Sequence, residues 1–143
     1  MSIHYFLYLN TPRSPTAVLE QVEDHLARAL GLSRANGAGS TAEMEGLWIS
    51  ARAVEPPVTQ MIVEEHGVHP TVSVSMRLDK ERLALAQDNV VSLLAVFVHE
   101  DTCDLVLLRD SSDEAVYRRV SGVAHVGESP LWHVPERRAR VET

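Results

Sequence analysis

One cysteine, Cys103, leaves the chain without an internal disulfide and with too few thiols for a structural zinc site. Stability must therefore come from a hydrophobic core. Lysine is almost missing, Lys80 standing beside twelve arginines, and the acids still outnumber the bases to give a formal charge of -7. That balance argues against a general nucleic-acid binder, whose affinity comes from neutralising phosphates with a basic face. No apolar stretch approaches the roughly 20 residues that span a bilayer. The opening Met1-Ser2-Ile3-His4-Tyr5 lacks the basic and apolar regions of a secretory signal, so a cytoplasmic chain engaging neither membrane nor nucleic acid is expected.

Catalytic signatures are scarce as well. No serine sits in a Gly-x-Ser-x-Gly elbow, and Gly37-Ala38-Gly39 lacks the preceding strand, the spacing and the lysine of a phosphate cradle. His66 and His69 straddle a glycine before Pro70, which is not the spacing of two ligands on one helical face. His99-Glu100 resembles the start of a zinc-protease helix, but Cys103 stands where the second histidine is required. It reads instead as a helix C-terminus, where a histidine suits the negative end of the dipole. Cys103, flanked by Asp101 and Asp104, is expected to have a raised pKa and little nucleophilicity. No cofactor, metal or catalytic residue is assigned, and the chain is not expected to be an enzyme.

What is present is patterning for a core. The 143 residues are 45% hydrophobic, enough for a single domain spanning 1–143. Ile3 to Leu9 is an apolar and aromatic run of strand length with both faces expected to be largely buried. Ser14 is placed to cap a helix that Pro15 opens, and Val18, Val22, Leu26, Ala29 and Leu30 continue at helical spacing to Gly31. The glycine- and serine-rich stretch 31–45 is expected to be a mobile loop. Leu47 to Val54 and, beyond Pro56-Pro57, Val58 to Glu65 read as strands.

From Thr71 to Leu78 the alternation is nearly ideal: Val72, Val74, Met76 and Leu78 for the core, Thr71, Ser73, Ser75 and Arg77 for water. Asp88 is a candidate cap for an apolar helix from Asn89 to Val98. Cys103 to Arg109 and Ala115 to Val120 flank a polar hairpin loop, 110–114. Beyond Val120 there is no periodic signal; Leu131 and Trp132 are able to dock on the body, and 136–143 is expected to fray. The order β-α-β-β-β-α-β-β predicts an α+β fold, an antiparallel-rich sheet of about six strands with two helices packed on one face.

For a binding protein, the carboxylates around the last hairpin are the first candidates. Glu100, Asp101 and Asp104 fall at one end and Asp110, Asp113 and Glu114 at the other, where acidic potential would steer a basic partner. Tyr5, Tyr8, Trp48 and Trp132 are candidate interface anchors, each with core packing as the stronger expectation. An exposed edge strand offers a route to a homodimer.

Met76-Arg77-Leu78-Asp79-Lys80 at a strand end, the helix Asn89 to Val98, the strand Asp104-Leu105-Val106-Leu107-Leu108-Arg109 and the hairpin return resemble the C-terminal half of bacterial swarming-inhibition (Sit-type) immunity proteins. The likeness covers Thr71 to Trp132, with an aromatic-rich first strand in common. It implies a non-catalytic antidote that binds and silences a cognate toxin protein by occlusion. The rival expectation is a small-molecule-binding or regulatory domain with a pocket between helix and sheet.

Overall fold

The computed structural model describes residues 3–25, 33–34, 39–110 and 114–142. In chain order the elements are β1 (Ile3–Leu9), α1 (Pro15–His25), β2 (Ser33–Arg34), β3 (Gly39–Met44), β4 (Leu47–Ala53), α2 (Val58–His66), β5 (Val72–Leu78), α3 (Leu83–Glu100), β6 (Leu105–Arg109), β7 (Ala115–Val120), β8 (Val123–Val126) and α4 (Pro135–Ala139). The strands form one sheet in the order β2-β3-β4-β5-β1-β6-β7-β8. Every neighbouring pair is antiparallel, and the α+β layering expected from the sequence is the one observed.

β1 lies near the centre because its apolar residues meet apolar residues on both sides. Leu7 is opposite Val74 and Leu107, and Leu9 is opposite Val72 and Leu105. With a side-chain period of two, that register turns Tyr5, Leu7 and Leu9 toward α1 and α3. There they join a continuous buried cluster with Val18, Leu19 and Val22 of α1, Val90, Leu93, Leu94 and Phe97 of α3, and Val74 and Met76 of β5. His4, Phe6 and Tyr8 point the other way and are only half-buried, so β1 has one buried face rather than two.

α1 begins as expected: Pro15 is its first residue and the Ser14 hydroxyl accepts from the Ala17 amide at 3.2 Å. The α3 segment starts earlier than expected. Asp79 caps a 3-10 turn over Lys80–Arg82, accepting from the Glu81 amide, and the helix runs from Leu83. Asp88 is therefore inside the helix, where its carboxylate takes the Arg140 guanidinium at 2.7 Å. By length and composition α3 passes for a membrane-crossing helix, yet it is a core element, with Ala86, Val90, Val91, Leu93, Leu94 and Phe97 almost wholly buried. Asn89, fully buried, donates to the Glu45 carbonyl at 2.7 Å and ties the helix to the β3–β4 turn. That turn needs Gly46, whose φ is +75° and whose added Cβ would sit 3.3 Å from the Ala86 Cβ.

Three further expectations are corrected. Val58 to Glu65 is not a strand but helix α2: Val58, Ile62 and His66, four residues apart, face inward, and Gly67 closes the helix in the left-handed conformation. Ile62 belongs to a second, smaller cluster with Val68, Val106 and Leu108 on the sheet face away from α1 and α3. Within the stretch expected to be a mobile loop, 33–34 and 39–44 are the strands β2 and β3, and Ser40, Ala42 and Met44 are buried in alternation against β4. The rest of the 31–38 stretch lies outside the described residues.

The tail expected to fray is anchored. Within α4 and the turn after it, Arg137 donates to the Ala84 carbonyl at 2.9 Å and to Gln87 at 3.2 Å, Arg140 holds Asp88 and Ser92, and Val141 is buried. Ahead of it Leu131 is buried and the Trp132 indole donates to the Val116 carbonyl.

One buried charge closes the helix-covered layer. Arg119 of β7 has no carboxylate partner among the described residues; its guanidinium donates to the carbonyls of Phe97, Val98, Asp101 and Cys103, between 2.9 and 3.3 Å. A cation at the negative end of α3 is favoured by the helix dipole, and it supplies a donor to the Val98 carbonyl of the last turn and to the Asp101 and Cys103 carbonyls beyond it.

Candidate functional site

Among the described residues, the sheet face opposite α1 and α3 is covered at its β6–β7 end by α2 and its cluster, against which Tyr8 of β1 also packs. Over β3, β4, β5 and the start of β1 no described element covers it. The register sorts the outward side chains there into three rows across the strands. Glu43, Trp48, Arg77 and His4 form the first, Thr41, Ser50, Ser75 and Phe6 the second, and Arg52, Ser73 and Tyr8 the third.

The middle row is short-chained over three of its four strands, and both outer rows carry long or aromatic side chains. A shallow trough results, running across the strands with Phe6 at its β1 end. Both broad depressions on this face share Thr41, Ser50 and Ser75 as floor. One extends to His4, Trp48 and Arg77, the other to Tyr8, Arg52 and the Val54 to Val58 approach to α2. With rows two residues apart on a strand, the outer rows stand about 13 Å from one another.

Its side chains are of the kinds that suit protein contact. The Trp48 ring is 42% exposed, and the Arg77 guanidinium lies 4.6 Å from its centroid, a cation–π stack that holds both side chains upright. His4, Phe6 and Tyr8 stack along β1 with ring centroids 6.2 and 6.5 Å apart. Burial raises the Tyr8 hydroxyl above its ordinary pKa, so it is a neutral donor and acceptor. Trp, Tyr and Arg in a concave setting are the residues that dominate interface energetics.

The sequence-derived acidic candidates are elsewhere and are divided. Glu100 pairs with His25 at 3.3 Å at the end of α3. Asp101 accepts from Gln21 at 2.7 Å, and Asp104 accepts the Ser121 amide at 2.8 Å, supporting the β7–β8 turn. Asp110 sits beside His4 at 3.8 Å, and Glu114 opens the approach to β7, also exposed. Asp113 lies outside the described residues. Six residues of extended chain separate Asp104 from Asp110, about 20 Å, so the two acidic groups do not make one patch.

Of the aromatic candidates, Tyr5 is core, Tyr8 and Trp132 are half-buried, and Trp48 alone is well exposed. His66 is buried in α2 with Glu65 at 3.8 Å, and His69 is exposed. Among the described residues no three His, Cys, Asp or Glu side chains converge as they would on a metal ion. Cys103 is half-buried, and its thiol is pushed up by burial first and by the Asp101 carboxylate second, against the lowering effect of Arg119. The layer between helices and sheet, where a small-molecule pocket was the rival expectation, is filled by the main apolar cluster.

A family model described as SitI3-like matches residues 3–137, well beyond the Thr71 to Trp132 stretch that carries the resemblance in sequence. No curated protein and no solved structure gives a significant match.

Proposed function

The chain belongs to the SitI3-like family, and from that premise we propose that it is an immunity protein that binds a cognate toxin and neutralises it by covering the surface the toxin needs. The single observation that carries this reading is the family match over nearly the whole chain. The open sheet face supports it as the contact surface. A rigid sheet presents Trp48, Arg77, Phe6 and Tyr8 in fixed register, and side chains already held in place lose little freedom on binding. Occlusion asks for shape and complementarity alone, and an interface of ordinary size, around 1,600 Å² in total, is enough to block access.

Co-expression with any growth-inhibiting protein found encoded next to this chain tests the proposal. Growth is expected to be restored by the wild-type chain. Continued killing at full expression of folded protein would overturn the immunity reading.

A further inference from the structure

The net charge of -7 by itself points to a basic partner, yet the open face does not share that charge. Arg52 and Arg77 rise from opposite walls of the trough, and neither makes an ion pair among the described residues. Most other described arginines are engaged: Arg13 with Gln21 and Asp101, Arg82 with Asp79, Arg119 with four carbonyls, Arg137 and Arg140 with α3, Arg138 with Glu142. The acids near the trough are Glu43, at the far end of its row beyond Trp48, Glu55, at the rim beside α2, and Asp110, beside His4 at the β1 end of the first row. None stands between the two arginines. The floor between them is Ser50 and Ser75, hydroxyls that accept or donate without bringing charge.

We propose that this trough receives an acidic segment of the toxin, with carboxylates on the Arg52 and Arg77 guanidinium groups and apolar side chains against Trp48 and Phe6. The inference rests on the immunity reading and adds the chemistry of the partner's surface. Arginine is suited to the task because its planar fork meets a carboxylate through two parallel hydrogen bonds. Stacking on Trp48 fixes the plane of Arg77 in advance, so the fork is oriented before the partner arrives. Arg52, beside the half-buried Tyr8 row, offers the second cation roughly 13 Å along the strands, which fixes the spacing of the carboxylates it accepts.

The test uses a non-toxic variant of the toxin identified by co-expression and measures its affinity for the full chain. Arg52→Glu with Arg77→Glu is expected to weaken binding by about thirtyfold or more, the loss seen when one side of a desolvated charge pair is reversed or removed. Arg138→Glu, an equal charge change per site on the helix side of the molecule, is expected to leave affinity unchanged. An Asp or Glu to Lys substitution in the toxin is expected to restore binding to the double variant. Full affinity in the folded double variant, or failure of every acid-to-lysine change in the toxin to restore it, would overturn the acidic-segment inference. Failure of the wild-type chain to bind would overturn the immunity reading instead.

Discussion

The two faces of the sheet are built from alternate residues of the same strands, and they treat polar groups in opposite ways. On the helix-covered face the charge that enters, Arg119, is matched by four backbone carbonyls, and buried Asn89 is tied to the Glu45 carbonyl. On the open face Arg52 and Arg77 have no carboxylate among the described residues, and Trp48 is left in water. The covered face spends its donors on folding, with the Asn89 Oδ1 a buried acceptor left over. The open face has unused capacity for hydrogen bonds and apolar contact, and that difference separates the part of the sequence that makes the fold from the part available to a partner.

The strongest way to break the comparison is from the covered side. Leu94→Ala removes a fully buried side chain of α3 and is expected to cost about 3 kcal/mol, read from the urea midpoint at constant m-value. Arg119→Met keeps much of the volume and deprives the Val98, Asp101 and Cys103 carbonyls of their side-chain donor, with an expected loss of about 2–3 kcal/mol. Equal stability of Arg119→Met and wild type would mean that water replaces the guanidinium without cost. Gly127→Ala is expected to cost about 2 kcal/mol, because the new Cβ would lie 2.0 Å from the Ala115 carbonyl oxygen and the β8 return would have to shift.

A titration sharpens the contrast. Burial raises the pKa of Tyr8, Cys103 and Tyr117, so each holds its proton more firmly folded than unfolded. The unfolded chain then binds fewer protons. Stability is full below the ordinary values, about 8.5 for cysteine and 10 for tyrosine, and falls as pH rises through them. Urea midpoints measured from pH 7.5 to 10.5 should decline, and Tyr117→Phe should remove part of the decline; a flat profile would refute it.

The smallest stability effect belongs to the open face. Trp48→Ser is expected to shift stability by no more than about 0.5 kcal/mol while lowering protection against the toxin, measured as surviving colonies on co-expression. A large loss of stability there would place Trp48 with the core and erase the distinction between the faces.

Local patterning made much of the scaffold legible. Val72 to Leu78 alternates strictly and is the strand it reads as; Ser14-Pro15 opens a helix where capping chemistry says it should. What was not legible depended on distant partners or on ambiguous periods. In Val58 to His66, a nine-residue window supports two templates, with Val58, Gln60 and Ile62 alternating while Val58, Ile62 and His66 recur at helical spacing. β3 contains no β-branched residue except Thr41, and its strand character comes from pairing with β4; the alternation of Ala42 and Met44 with Thr41 and Glu43 was the available signal. The tail looked solvated because the partners of Arg137 and Arg140 lie some fifty residues away. The trough is illegible in the sequence for a related reason. Trp48 and Arg77 become neighbours only through the β4–β5 register, and weighing aromatics singly cannot bring them together.

The three-row arrangement has an evolutionary consequence. Positions 48, 52 and 77 are reached from the solvent side, and their neighbours along each strand, such as Ile49 and Met76, carry the packing. Mutational drift in the outward set therefore leaves the folding free energy almost untouched. If the proposed contact surface holds, such positions can be rewritten one at a time with little loss of folding stability.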